Sequence, residues 1–301
     1  MADIVCLGEP LVEFNQQPDA RWLEGFGGDT SNVAIAAARQ GASSGMIARI
    51  GADEFGDKLM GLWAIENVDT AGVVQDPLAP TGIYFVHHDE KGHRFSYRRA
   101  GSAAALMRPD QVPDDLIRGA KVLHISGISQ AISASAADAC FHAMHIAREA
   151  GVAVSYDLNL RKLLWPMDRA RAVIHGAMAH TTIALPGLDD AIALTGLTDP
   201  EAIVRFYQSL GPAIVALTLG DDGALVGEGE TLHRIAPQPA NLVDASGAGD
   251  CFDGSFLAEW VRTGDVLTAA RYANAAASLS VEGYSAIAPI PRRDAVLARL
   301  G

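Results

Sequence analysis

Along most of the chain, short β-branched runs alternate with longer segments of helical periodicity. When a strand is followed by a helix and then by another strand, the strands pair in parallel and the helices cover both faces of the sheet. The alternation therefore predicts an α/β fold of three layers with a mainly parallel central sheet. Predicted strands are residues 3–7, 121–125, 152–156, 182–185 and 213–217, and predicted helices are 133–150, 169–179, 201–210, 249–263 and 266–281.

One region interrupts this alternation. Residues 81–87 and 93–98 have a period of two and are joined by a polar stretch, residues 88–92, which predicts a β-hairpin. Since two strands alone are marginally stable in water, we expect them to combine with residues 12–26 in a small β-layer. The chain is then a single domain, residues 1–301, with a β-lid from about 12–26 and 76–100.

Composition supports a globular domain and excludes several partners. Of the 301 residues, 49% are hydrophobic, which is enough for a sizeable core. The net charge of −13 repels nucleic acid and anionic lipid, so we expect neither a nucleic-acid nor a membrane partner. The three cysteines form no CxxC pair, and the first residues lack the pattern of a signal peptide. These features predict a reduced, cytoplasmic protein.

The segment most suggestive of chemistry is Gly247-Ala248-Gly249-Asp250, at the start of a predicted helix. Small residues let the backbone approach a ligand closely, and the free N–H groups of a helix start favour an anion. A carboxylate at that end can accept the proton of an attacking hydroxyl. The alternative is a glycine-rich turn in which Asp250 only caps the helix. The segment matches neither GxGxxG nor the P-loop pattern.

Together with other motifs, this segment resembles the ribokinase-like, or PfkB, carbohydrate kinases. Residues 244–252 are similar to the family's D-x-x-GAGD-x-F, and residues 27–34 (Gly-Gly-Asp-Thr-Ser-Asn-Val-Ala) are similar to its N-terminal sugar motif. Residues 51–56 resemble its G-x-D-x-x-G, and residues 218–223 resemble its nucleotide loop. The resemblance covers nearly the whole chain. It implies a ribokinase-like fold with ATP and Mg²⁺ as cofactors, and it leaves open whether the enzyme also needs a monovalent cation such as K⁺.

Two further stretches bear on the substrate. Residues 95–98 (Phe-Ser-Tyr-Arg) and 157–165 (Asp-Leu-Asn-Leu-Arg-Lys-Leu-Leu-Trp) are similar to 2-keto-3-deoxygluconate (KDG) kinases within that family. An arginine suits a sugar carboxylate because its guanidinium can pair with it bidentately. The period of two puts Arg98 and Tyr97 on opposite faces of their strand. Arg161 could instead bind the nucleotide phosphates, and a solvated strand-edge charge is the plain alternative for Arg98.

The resemblance implies a role for each of the following residues. The catalytic group is Asp250 with the backbone of Gly247, Ala248 and Gly249; the sugar site is Gly28, Asp29, Asn32, Tyr84, Tyr97, Arg98, Arg161 and Asp250; the nucleotide site is Asn159, Arg161, Thr218, Gly220, Gly223, Gly247, Ala248, Gly249 and Asn274; and the metal residue is Asp190, which binds the metal directly or through water.

Some positions depart from the family pattern. The usual P-N-x-x-E reads Pro186-Gly187-Leu188-Asp189-Asp190, which removes the asparagine amide and shortens the acid. Residues 245 and 246 (Ala-Ser) keep one hydroxyl where a threonine pair is usual. Cys251 borders the base and is expected to serve packing rather than nucleophilic attack. These departures affect specificity and metal binding but leave the base and the glycine segment in place.

The sequence thus predicts an ATP-dependent kinase that converts KDG to its 6-phosphate, with Asp250 as general base. One alternative is a fructokinase or another ribokinase-like sugar kinase. An alternative from another functional class is a non-catalytic sugar-binding or regulatory protein. The intact Asp250 argues against it. An NAD-dependent oxidoreductase is a third alternative, but the chain lacks the glycine fingerprint that such an enzyme carries after the first strand. The partners are an acid sugar, ATP and, through the β-lid, a second copy in a homodimer or higher homo-oligomer.

Overall fold

The structure is a computed structural model that describes residues 1–89 and 92–301. The described strands are β1 (Ile4–Leu7), β2 (Leu11–Gln16), β3 (Trp22–Gly27), β4 (Ser44–Gly51), β5 (Asp69–Asp76), β6 (Ile83–Asp89), β7 (Gly92–Arg98), β8 (Val122–Ser126), β9 (Ala153–Asp157), β10 (Ile183–Leu185), β11 (Ile214–Thr218), β12 (Ala224–Glu228) and β13 (Thr231–Ile235).

The described helices alternate with the strands of the main sheet over most of the chain. They are α1 (Asp29–Arg39), α2 (Glu54–Ile65), α3 (Asp114–Arg118), α4 (Gly127–Ala131), α5 (Ala134–Glu149), α6 (Met167–Met178), α7 (Leu188–Thr195), α8 (Pro200–Leu210), α9 (Ala248–Thr263), α10 (Val266–Ser280) and α11 (Arg293–Leu300), with short 3-10 turns at Ala104–Leu106, Pro109–Gln111 and Gly220–Asp222. In this part of the chain no helix combines the length and apolarity needed to cross a membrane.

The main sheet confirms the predicted α/β class. In the described residues its strand order is β13-β12-β11-β10-β9-β8-β1-β4-β5. Neighbours from β11 to β5 pair in parallel, while β12 pairs antiparallel with both β11 and β13. Side chains of the central strands alternate between two apolar cores, one under α5, α6 and α8 and the other under α1, α2, α9 and α10. Burial on both faces explains why these strands read as continuous apolar runs.

The small sheet lies apart from the main one and has the order β3-β2-β6-β7. The predicted hairpin is confirmed, since β6 and β7 pair antiparallel from Ile83↔Arg98 to Asp89↔Gly92; part of its predicted turn, residues 90–91, lies outside the described residues. Asp76 ends β5 in the main sheet, so the small sheet begins later along this part of the chain than predicted.

Candidate functional site

A cavity of about 2180 Å³ lies at the carboxyl ends of the main-sheet strands, beneath the small sheet. This is the edge where open parallel sheets hold their ligands. Most of the residues predicted for the site line it. These are Gly28, Asp29, Asn32, Tyr84, Tyr97, Asn159, Arg161, Asp190, Thr218, Gly247, Gly249 and Asp250.

Asp250 lies in the first turn of α9 and faces the cavity. Asn32, on α1, donates from Nδ2 to Asp250 Oδ2 at 2.7 Å. This bond joins the two sequence motifs, which are more than two hundred residues apart, and fixes the carboxylate. The other oxygen of Asp250 can then accept a proton from a hydroxyl in the cavity.

Several carboxylates share this region, and burial changes their acidity. Burial raises the pKa of Asp250 to about 7, and the charge of Asp29 adds to the rise, while Asn32 and Arg161 oppose it. The pKa values of Asp157 and Asp253 are also raised well above the usual range, first by burial and then by the neighbouring acids. A base whose pKa lies near neutrality is suited to accept a proton at physiological pH.

Two of these acids, Asp157 and Asp253, were not predicted as site residues. Asp157 ends β9, and its position at the carboxyl end of a strand was the available signal. Asp253 follows Asp250 by three residues, which places both on the same side of α9. Its side chain is 3% exposed, and among the described residues its Oδ2 has no hydrogen-bond partner.

Asn159 connects the strand end to the sugar motif. Its Nδ2 donates to Asp29 Oδ2 at 2.9 Å, and its backbone N–H donates to Asp157 Oδ1 at 3.0 Å. Its φ of 29° is unusual for a residue with a side chain. The surrounding bonds hold this conformation, a type of strain that concentrates at functional sites.

The start of α9 has the geometry of a candidate anion site. Gly247 precedes the helix with a φ of 73°, and a Cβ there would lie 2.8 Å from the Ala286 carbonyl oxygen. Only glycine fits both constraints. A Cβ on Gly249 would meet no atom within 4 Å, because this residue borders the open cavity. Ala248 begins α9 behind them and does not line the cavity. The first N–H groups of the helix therefore face space that a phosphoryl group can occupy.

The small sheet turns one face to the cavity. Glu13, Tyr84 and Tyr97 lie opposite one another on β2, β6 and β7 and therefore share that face. The rings of Tyr84 and Tyr97 stack with centroids 5.6 Å apart. The Tyr84 hydroxyl donates to Glu13, and burial raises the pKa of Tyr84.

The predicted position of Arg98 in the sugar site is wrong for this structure. Arg98 pairs with Ile83, so it occupies the face opposite Tyr97, and the cavity lies on the face of Tyr97. The side chain of Arg98 is exposed and donates to the Tyr97 carbonyl oxygen at 3.0 Å. The alternation was predicted correctly, but the sequence did not show which face meets the cavity.

The next residue, Arg99, lines the cavity instead. Its guanidinium lies 4.9 Å from the Tyr97 ring centroid and pairs with the buried carboxylate of Glu9, to which Nε donates at 2.8 Å. Burial raises the pKa of Glu9, and Arg99 opposes that rise. Arg161, on the other side of the cavity, is exposed, and its charge opposes the rise in the pKa of both Asp250 and Asp190. Arg39 and Lys162 also line the cavity, which therefore contains several cationic groups among its acids.

The predicted nucleotide residues are only partly brought together. Thr218 and Asp190 line the cavity, and Asp190 Oδ2 accepts from the Leu160 N–H at 2.9 Å. Gly220, Gly223 and Asn274 do not line it. A Cβ on Gly223, where φ is 83°, would lie 2.1 Å from the Ile235 carbonyl oxygen, and Asn274 Nδ2 donates to the Ala236 carbonyl oxygen at 2.8 Å. These contacts explain Gly223 and Asn274 without a ligand, and the nucleotide contacts of all three residues stay predictions.

Some apolar residues that line the cavity were not predicted as site residues. Leu242, Val243 and Tyr284 line it, although 67%, 43% and 79% of their respective surfaces are exposed. Exposed apolar groups in a concave site suit the flat face of a nucleoside base. Cys251, by contrast, is fully buried and burial raises its pKa to about 12, which supports a packing role.

Comparison with known proteins agrees with this geometry. The family model described as pfkB family carbohydrate kinase matches residues 1–293. The chain belongs to this family. As a PfkB carbohydrate kinase it is a sugar kinase, a phosphotransferase, and its main sheet with a separate small sheet is the ribokinase-like fold.

Individual relatives cover almost the whole chain. A 2-dehydro-3-deoxygluconokinase of Thermoproteus tenax is 36% identical, over 97% of this chain and 93% of the relative. A probable fructokinase-2 of Arabidopsis thaliana is 33% identical, over 96% and 92%. Among solved structures, a putative ribokinase II of E. coli in complex with ATP and Mg²⁺ is similar with a TM-score of 0.91 at 25% identity, covering 100% of this chain and 99% of that one.

Proposed function

We propose that this PfkB kinase transfers the γ-phosphoryl group of ATP to the 6-hydroxyl of KDG, giving the 6-phosphate. The observation that carries the proposal is Asp250, hydrogen-bonded to Asn32 at the start of α9. Asp250 accepts the hydroxyl proton as the oxygen attacks phosphorus, the bond to the ADP oxygen breaks, and ADP leaves. General base catalysis of this type contributes about 10²–10⁴-fold.

The residues at the start of α9 bind the transferring group. The backbone N–H groups of Gly247 and Gly249, which line the cavity, stabilise the charge on the phosphoryl oxygens. A structural neighbour holds ATP and Mg²⁺, and the donors here suit such a pair. In the described residues no three His, Cys, Asp or Glu side chains form a metal cluster. One carboxylate, Asp190, with waters and phosphate oxygens fits Mg²⁺, which neutralises phosphate charge when bound.

The acid substrate is supported by cations in an otherwise acidic cavity. Arg99 is paired with Glu9, whereas Arg161 is an exposed guanidinium beside the catalytic carboxylate. We therefore assign the substrate carboxylate to Arg161, with Arg99 holding Tyr97 in place. KDG kinases are among the relatives at 36% and 30% identity, which is consistent with this assignment.

The first experiment is an ADP-release assay with MgATP and a panel of KDG, 2-keto-3-deoxygalactonate, gluconate, fructose, ribose and adenosine. The proposal expects KDG to give by far the highest kcat/KM. If none of the six is phosphorylated, the proposed reaction is wrong; if a neutral sugar is preferred, the family assignment holds and the acid substrate is wrong.

The assignment of Arg161 has a matched control in the same chain. Arg161→Gln should raise KM for KDG at least tenfold while changing KM for a neutral sugar little. Arg98→Gln removes an exposed arginine on the far face of the small sheet and should leave both values unchanged. A rise in KM for MgATP alone in Arg161→Gln would assign this arginine to the phosphates.

A fructokinase is the second candidate. Plant fructokinases are 30–33% identical to the chain, and the acids Glu9, Glu13 and Asp29 around the sugar end suit the hydroxyls of a neutral sugar. This candidate predicts that fructose leads the panel and that Arg161→Gln leaves KM for the sugar unchanged.

A further inference from the structure

A loop between α10 and α11, residues 285–291, lies against the last turn of α1. Arg39, in that turn, has a side chain only 10% exposed. One of its guanidinium nitrogens donates to the carbonyl oxygens of Ile287 at 2.8 Å, Ala288 at 3.4 Å and Ile290 at 2.7 Å. Its other two nitrogens donate to the Glu66 carboxylate at 3.0 and 2.7 Å.

The residue that follows α1, Gln40, also holds the loop. Gln40 Nε2 donates to the Pro291 carbonyl oxygen at 2.7 Å, and Gln40 Oε1 accepts from the Tyr272 hydroxyl at 2.7 Å. The loop has neither helix nor strand. Within it the Ile290 N–H donates to the Ile287 carbonyl oxygen at 3.1 Å, and the side chains of Arg39 and Gln40 donate to its carbonyl oxygens from outside. Several carbonyl oxygens that converge on one point need a group with several N–H donors, and the planar guanidinium is such a group.

The opposite side of the same loop touches the phosphoryl site. Ala286 approaches Gly247 so closely that a Cβ on Gly247 would lie 2.8 Å from the Ala286 carbonyl oxygen. The Ser285 N–H donates to Asp244 Oδ2 at 3.0 Å, and Asp244 Oδ1 accepts from the Ser246 N–H at 2.9 Å. The loop therefore lies between Arg39 and the backbone that precedes α9.

We propose that Arg39 is a positioning residue for phosphoryl transfer: its guanidinium holds loop 285–291, and the loop holds the Gly247 backbone at the start of α9. The inference rests on the proposed role of Gly247 and Gly249 in binding the transferring phosphoryl group. Arg39 lies in the same helix as Asn32, which binds Asp250. One helix thus fixes the base directly and the phosphoryl site through the loop.

The test compares Arg39→Lys and Arg39→Ala with the natural protein, using the panel sugar that gives the highest kcat/KM. A lysine retains a charge for Glu66 but cannot donate to the carboxylate and three carbonyl groups together. We expect kcat to fall at least tenfold in both variants, with KM for the sugar changed less than twofold. Guanidinium chloride at 10–50 mM, roughly two orders below denaturing concentrations, should restore part of kcat in Arg39→Ala, and tetramethylammonium chloride at equal ionic strength should not.

Arg205 supplies a matched control. This arginine of α8 also donates to loop carbonyl groups, those of Gly229 and Glu230, both at 2.7 Å, but these lie in the β12–β13 turn. Arg205→Ala should leave kcat unchanged. If kcat in the Arg39 variants falls only in proportion to a lower Tm and guanidinium restores nothing, Arg39 is merely structural and the inference is overturned.

A second measurement does not depend on turnover. Amide hydrogen exchange of the natural protein, Arg39→Lys and Arg205→Ala is followed in peptides that cover residues 244–249 and 285–291. Faster exchange in both segments in Arg39→Lys alone supports the coupling even if every panel sugar fails. Faster exchange in 285–291 with no change in 244–249 breaks the link between the loop and the phosphoryl site.

Discussion

Asp250 combines a fixed position with an unusual acidity. It accepts a hydrogen bond from Asn32, and its pKa is raised to about 7, chiefly by burial. We expect Asp250→Asn to bind sugar normally but to lose about 10²–10⁴-fold in kcat, because the amide cannot accept the proton. In the natural protein kcat/KM should rise with pH through about 7, since only the ionised carboxylate is a base. Steady-state kinetics from pH 5 to 9 test both statements, and near-normal turnover in the variant would contradict the assignment.

The same pKa makes a prediction about stability. The pKa of Asp250 in the folded chain, about 7, exceeds the ordinary value of 3.8, so the folded state holds this proton more tightly than the unfolded state. Ionisation therefore destabilises the fold above about pH 7, and the effect disappears as the pH falls towards 4. Asp250→Asn should raise Tm by a few degrees at pH 8 and by less at pH 5. Thermal melts followed by circular dichroism measure this, and equal Tm differences at the two pH values would refute the raised pKa.

At the scale of elements, two glycines of α9 allow the contribution of this helix to catalysis to be distinguished from its contribution to stability. A Cβ on Gly249 meets open space, whereas a Cβ on Gly254, in the same helix, would lie 2.5 Å from the Val33 carbonyl oxygen. Gly249→Ala should stabilise the helix by up to about 1 kcal/mol, yet lower kcat because the methyl group enters the phosphoryl site. Gly254→Ala should lower Tm instead. Melting curves and kcat for the pair decide the point: if Gly249→Ala retains full activity, the start of α9 does not contact the transferring group.

The turn before α7 offers a test of metal binding. Gly187 has an ordinary extended backbone with φ −82°, and a Cβ there would find its nearest atom, Thr218 Oγ1, at 3.8 Å. An asparagine, the usual residue of the family motif, therefore fits without strain. We expect Gly187→Asn to fold normally. It should lower the Mg²⁺ concentration needed for half-maximal activity by about two- to fivefold, because the asparagine amide adds one polar partner for the water shell of the ion. Titrations of Mg²⁺ at fixed ATP measure this, with Gly229→Asn, in a distant turn, as the control.

Elements were predictable from sequence where their environment is uniform. β8 to β11 were recognisable because both of their faces are apolar. The polar edge strand β5 and the hairpin β12–β13 were not predicted, because their patterns are shorter or mixed. The central strand β4 was also not predicted, although it is almost fully buried. The motif residues Asn32, Asn159 and Asp250 were predicted from local sequence. The pairing of Glu9 with Arg99 joins residues ninety positions apart, and no local pattern specifies such a contact.

At the scale of the whole molecule, the outer part of the small sheet is unusually apolar for a surface. Leu23 and Phe95 are 62% and 48% exposed, lie on β3 and β7, the two edge strands, and share the face that borders the cavity. Exposed edges with apolar side chains favour pairing with another chain. We expect a second copy to cover this surface, so that light scattering gives twice the chain mass of 31.6 kDa.

One substitution and its control test this dimer. Leu23→Asp places a charge in the expected interface and should shift the mass to that of a monomer at micromolar concentration, because an unpaired charge is costly to bury. Leu78→Asp changes a leucine that is 95% exposed outside the small sheet and should leave the mass unchanged. Since Leu23 and Phe95 also border the cavity, loss of the dimer should raise KM for the sugar as well. If the natural protein is monomeric at all concentrations, the expected dimer is wrong, and these side chains serve ligand binding alone.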